Sequence, residues 1–88
     1  MSYVAVREFT PMIGKDAVLE DRILRTSDVI EKYGAVSRVG KVIGGHRAGD
    51  YELYNWYETV AAGASAMDGF SNDPDLKKIF EERALTPV

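Results

Sequence analysis

The side chains that could carry chemistry are few, and they lie in strand-like segments or in one turn. His46 is the only histidine and the only side chain whose unperturbed pKa lies near neutrality. It sits in Gly44-Gly45-His46-Arg47-Ala48-Gly49-Asp50. As a general base it would need to reach a pocket and to be oriented by a partner, for which Asp50 is close in sequence; a solvated loop histidine is the simpler reading. The glycines of this segment do not make a phosphate loop, because the Gly-Lys-Ser/Thr ending and the following helix are missing. Arg7 within a strand needs a partner. It should pair with Glu52 or Glu58 or else hold an anionic ligand, and structural pairing is the simpler of the two. Tyr51, Asn55 and Tyr57 could hydrogen-bond a polar aromatic molecule, and they would serve equally well as strand residues filling a core. Tyr33 could form a pocket wall or a helix–sheet contact.

Several chemistries are excluded. The chain lacks cysteine, so disulfides and thiolate ligands cannot contribute. One histidine and scattered carboxylates suggest no metal site and no resident cofactor, and no Ser-His-Asp or Cys-His set is evident. A net charge of −3 with mixed signs offers no basic stripe for nucleic acid. No stretch approaches the roughly 18 apolar residues of a membrane span. The first strand-like segment begins almost at Met1, which leaves no room for a signal peptide, so the cytoplasm is the expected compartment.

These residues must be positioned by a single domain spanning 1–88, since 88 residues suffice for one modest core. Tyr3 to Thr10 reads as a strand closed by Pro11. Gly14 to Tyr33 reads as a helix with Leu19, Ile23, Thr26, Ile30 and Tyr33 on one face, widened by Ala17, Leu24 and Val29. Arg22 and Arg25, with the nearby acids, fall on its wet side. Asp16 is a candidate N-cap or first-turn acid, and Gly34 a left-handed stop. Ala35 to Ile43 and Tyr51 to Glu58 read as an antiparallel hairpin. Thr59 to Phe70 is a helix weakened by Gly63 and Gly69. Ser71-Asn72-Asp73-Pro74 restarts a helix, with Asn72 or Asp73 as cap and Pro74 in its first turn. Ala84 to Val88 is a candidate short last strand. The order predicts an α+β, ferredoxin-like split βαβ sandwich, an antiparallel sheet with two helices on one face.

The third strand points to a partner. Tyr51, Leu53, Asn55 and Tyr57 alternate with Glu52, Tyr54, Trp56 and Glu58, so neither face is plainly polar. Helices can cover one face only. Each aromatic on the other face carries on the order of 150–250 Å² of area available for burial. A two-fold copy of the sheet is the simplest cover, so a homodimer is expected.

Taken together, the strand ending Phe9-Thr10-Pro11, the helix ending Tyr33-Gly34, Trp56-Tyr57-Glu58-Thr59 leading into the second helix, and Phe70-Ser71-Asn72-Asp73-Pro74 give the chain a family likeness. It resembles the dimeric α/β-barrel superfamily, which includes antibiotic-biosynthesis-monooxygenase-like and stress-responsive barrel proteins. The resemblance covers nearly the whole chain and is specific to the fold, not to an activity. It implies two sheets packed face to face across a dimer, with a ligand pocket between helices and sheet in each subunit. By position, Arg7, Asn55 and Tyr57 would face that pocket, joined by Tyr33 and Tyr51, and Tyr54 and Trp56 would face the partner. It further implies a small polar or aromatic ligand, with His46 as the one candidate catalytic residue and cofactor-free monooxygenation as the reaction. The alternative is a non-catalytic ligand-sensing or stress-related dimerisation domain. Relatives usually have a longer final strand than Ala84 to Val88. Haem-degrading relatives use a histidine on the second helix, and Thr59 to Arg83 contains none.

Overall fold

A computed structural model describes residues 2–88. Along the chain it runs β1 (Tyr3–Phe9), α1 (Asp16–Glu31), β2 (Val36–Lys41), β3 (Tyr51–Tyr57), α2 (Val60–Ser71) and α3 (Pro74–Leu85). The sheet order is β1-β3-β2, and β3 is antiparallel to both neighbours. β1 and β2 are therefore parallel strands linked by α1 and split by β3, the α+β arrangement expected, and it is compatible with a ferredoxin-like fold. The restart expected at Ser71-Asn72-Asp73-Pro74 makes α2 and α3 distinct elements, so the molecule has three helices where the sandwich order counted two.

Local chemistry sets the boundaries. Asp73 caps α3: its Oδ1 accepts from the backbone N–H of Asp75 (2.8 Å) and of Leu76 (3.3 Å), with Pro74 in the first turn. Thr59 caps α2 by accepting from Ala62 N. Lys15 makes no side-chain cap to α1, and Asp16 serves as its first-turn acid. Gly34 has φ +91° and turns the chain into β2.

The expected last strand is absent. Residues 84–85 close α3, and the remaining tail runs back so that Met12 N donates to Val88 O at 2.8 Å. Helical hydrogen bonding reaches Thr86 N, which donates to Glu82 O. An extended Ala84 to Val88 would forfeit that last turn.

The core lies between α1, α2, α3 and the helix side of β2 and β3. Leu19, Ile23, Ile30, Leu53, Tyr57, Phe70, Leu76 and Ile79 are its larger members. The residues alternate along β3: Tyr51, Leu53, Asn55 and Tyr57 are buried, and Glu52, Tyr54 and Trp56 are half-buried on the far side. Register carries this parity across the sheet. Arg7 lies opposite Leu53, Ala5 opposite Asn55, and Ser37 opposite Asn55 from the other side. Val4, Val6, Val36, Tyr54 and Trp56 thus share the face without helices, where the three valines are 45–53% exposed and the Tyr54 and Trp56 rings stack at 5.6 Å. The molecule is a slab of 38 × 31 × 14 Å, thin because only one side of the sheet is covered. No helix among the described residues is long and apolar enough to cross a membrane.

Candidate functional site

The helix layer sits over β2 and β3 and stops short of β1. β1 is exposed along nearly its whole length; only Phe9 is partly covered. Between β1 and the helices opens a cleft of about 450 Å³, walled by Phe9, Leu19, Ile23, Leu53, Ile79 and Phe80. A smaller space of about 200 Å³ continues from it past Met67 and Phe70, and Arg7, Thr26 and Phe80 border both.

The polar lining of the cleft is dominated by guanidiniums. Arg7 reaches it from β1, Arg22 from α1 and Arg83 from α3. Arg22 is 7% exposed, which overturns its expected place on the wet side of the helix. It falls three residues after Leu19 and four before Thr26, so it shares their face. Its Nη1 donates to the carbonyl of Thr86 at 2.6 Å, beside the open C-terminus of α3, where a cation is favourable. Its Nε is buried without a hydrogen-bond partner. No carboxylate among the described residues forms an ion pair with it. The acids at the margin are engaged elsewhere. Glu82 takes a fork from Arg25 (2.6 and 3.2 Å), a hydrogen bond that holds Glu82 below the usual carboxylate range. Glu8 borders the cleft as part of β1, but by register its side chain shares the far face with Glu52, where it receives Arg47 Nη1 at 2.9 Å.

The residues singled out in the sequence are distributed unequally. Arg7 lines the cleft and, contrary to the pairing expected, is exposed and forms no ion pair among the described residues. Glu52 lies on the opposite face of the sheet, near Arg47 (3.9 Å). Tyr57 is buried under α2, where its ring packs against Gly63 at the distance of a would-be Cβ, 3.4 Å. Burial pushes its phenol up, and Arg7 opposes the shift. Asn55 is buried in a hydrogen-bonded chain: Ser27 Oγ donates to Ser37 Oγ (2.6 Å), and Ser37 Oγ donates to Asn55 Oδ1 (2.7 Å). Tyr51 is in the core with Lys41 Nζ 5.3 Å from its ring centre. Tyr33 donates to Asp73 Oδ2 at 2.6 Å and meets Phe70 edge-on, so it fastens α1 to the α2–α3 junction. This hydrogen bond raises the Tyr33 pKa and lowers that of Asp73. None of Tyr33, Tyr51, Asn55 and Tyr57 borders the cleft.

His46 is exposed in the hairpin loop, and Asp50, expected to orient it, is bound instead to Arg47 Nε at 3.4 Å. No cluster of three or more His, Asp or Glu side chains able to hold a metal ion occurs among the described residues. Arg22 and Arg83 were missed as cleft residues. For Arg22 the helical spacing from Leu19 was a readable signal; for Arg83 no sequence signal existed, because its place depends on α3 continuing beyond it.

Comparison of the sequence with protein-family models and with curated proteins finds no match.

Proposed function

We propose that this chain is a small-molecule-binding domain of the dimeric α/β-barrel kind, working as a homodimer with one ligand cleft per subunit. The observation that carries the ligand reading is the cleft itself. Its volume of about 450 Å³ exceeds the roughly 300 Å³ at which small-molecule sites begin. Apolar walls with a few convergent cationic groups suit an amphipathic ligand. Thermal shifts against a library of phenols, quinones and organic acids test this, and a library in which no compound raises the midpoint overturns it.

The homodimer is supported by the uncovered face. The exposed surface is 5836 Å², against about 5,200 Å² expected for a monomer of this mass. The valines and the stacked Tyr54 and Trp56 supply a self-complementary apolar patch. Light scattering at micromolar concentration should give the mass of two chains. Trp56→Glu should give a folded single chain, because it places a charge where an aromatic ring is to be covered. A wild-type protein with the mass of one chain overturns the dimer.

Two activities fit the cleft. A cofactor-free monooxygenase would use the guanidiniums to stabilise the anion of an electron-rich substrate. A non-catalytic sensing or stress-related domain would only bind. The lining favours the second, because the charged side chains that reach it from β1, α1 and α3 are guanidiniums, which donate hydrogen bonds and accept none. Oxygen uptake with a compound that shifts the melting midpoint separates the two.

A further inference from the structure

We propose that the cleft between β1 and the helices recognises a carboxylate, namely that of an organic acid with an apolar body, seated against Arg22 with Arg7 and Arg83 at its flanks. This rests on the reading of the cleft as a ligand site and adds the chemical class of the ligand.

The argument begins with Arg22. A buried charge in a folded protein is ordinarily paired. Arg22 is more than nine-tenths buried, yet its one acceptor in the protein is the neutral Thr86 carbonyl, and its Nε has no partner. A guanidinium carries five N–H donors in a planar fork that matches a carboxylate. One donor is used here. Glu82 feels the Arg22 charge but is engaged by the Arg25 fork and forms no ion pair with Arg22, which leaves the guanidinium open to an anion from outside. Arg7 and Arg83 border the same space and add to the positive field, and Glu8, which also borders it, is paired with Arg47.

The remaining walls decide what the anion is attached to. Phe9, Leu19, Ile23, Leu53, Ile79 and Phe80 offer no hydrogen bonds from their side chains. A bare inorganic anion would leave those surfaces wet, whereas an acid with an alkyl or aryl body covers them. The adjoining space past Met67 and Phe70 lengthens the apolar part.

The test is calorimetric titration of the whole chain with octanoate, octanol, naphthoate, naphthol and inorganic phosphate. At least one acid should bind about tenfold or more tightly than its alcohol, as expected for a charge-assisted fork. Octanoate alone points to aliphatic acids, naphthoate alone to aromatic ones, and either supports the proposal. Alcohols that bind as well as the acids would leave the ligand site standing and overturn the carboxylate. No binding by any organic compound would overturn the ligand site as well. Phosphate binding as tightly as the acids would overturn the apolar body. Arg22→Met should abolish the preference for acid over alcohol, and its retention in a folded variant would remove Arg22 from the role. If that variant does not fold, Arg7→Gln with Arg83→Gln should reduce the preference about threefold or more, and an unchanged preference would overturn the site.

Discussion

Replacing Arg22 by methionine should leave the free protein as stable as before, within about 1 kcal/mol, or more stable. The substitution keeps most of the apolar stem that packs with Leu19 and Ile23 and removes the charge. What is lost is the hydrogen bond from Nη1 to the Thr86 carbonyl. As a bond to a charged group it contributes about 1.5–3 kcal/mol, and part of that returns because Thr86 is exposed and water can take its carbonyl. What is relieved is the unpaired Nε, a group that costs about 1–3 kcal/mol when left unsatisfied, together with the burial of a charge that lacks a counter-ion. The two sides nearly cancel. Urea unfolding followed by circular dichroism measures the outcome, with equal slopes required so that midpoints compare stability. A loss above about 2 kcal/mol at unchanged slope would show that Arg22 is a clamp on the tail, and the reasoning that treats it as waiting for an anion would fail. With octanoate present at a hundred times its dissociation constant, wild type should gain about 2.7 kcal/mol and the variant little.

Three other substitutions probe the scaffold around the cleft. Ser37→Ala strands the Ser27 hydroxyl and Asn55 Oδ1 together; at about 1–3 kcal/mol for each unsatisfied group it should cost about 2–5 kcal/mol in urea unfolding, and Ser27→Ala added to it should cost less than the sum. Tyr33→Phe removes the hydroxyl that does most to lower the Asp73 pKa. A depressed carboxylate contributes stability above its unfolded value of about 3.9 and loses it as pH falls through the folded value, so the gap between wild type and Tyr33→Phe should narrow in melts taken below that range. Gly69→Ala would place its Cβ 2.5 Å from the Tyr33 ring, so the ring must shift and the melting midpoint should fall measurably.

The fold was legible where pattern and local chemistry coincide. The strands at both ends of the hairpin, the cap at Asp73, one of two candidates, and the apolar stripe from Leu19 to Ile30 follow from spacing and residue type; the Thr59 cap emerges only in the structure. Gly63 and Gly69 read only as weaknesses of a helix; the structure gives their reason, since the Tyr57 and Tyr33 rings lie against them. The candidate site was legible in one residue, Arg7. Asn55 and Tyr57 were placed on the helix side by strand parity, but parity does not reveal that a serine from α1 and another from β2 reach Asn55 first. Residue type alone assigns Arg22 to the wet face, whereas its spacing of three from Leu19 and of four to Thr26 assigns it to the dry one.

β1 joins the two halves of the functional reading. Like β2 it is an edge strand paired only with β3, but it lies outside the helix layer, so both of its faces are largely bare. Val4 and Val6 lie on the face proposed for a second copy, while Arg7 between Val6 and Glu8 points to the cleft. A partner sheet that covers the valines would restrain the strand from one side, and a ligand carboxylate at Arg7 would restrain it from the other. Each event orders residues that the other also needs ordered, so each lowers the conformational entropy the other must remove. Coupling of that kind is reciprocal. A dimer that tightens in octanoate and an octanoate affinity that falls in Trp56→Glu are therefore two measurements of one quantity. Agreement between them in size would tie the uncovered face and the arginine cleft into a single mechanism.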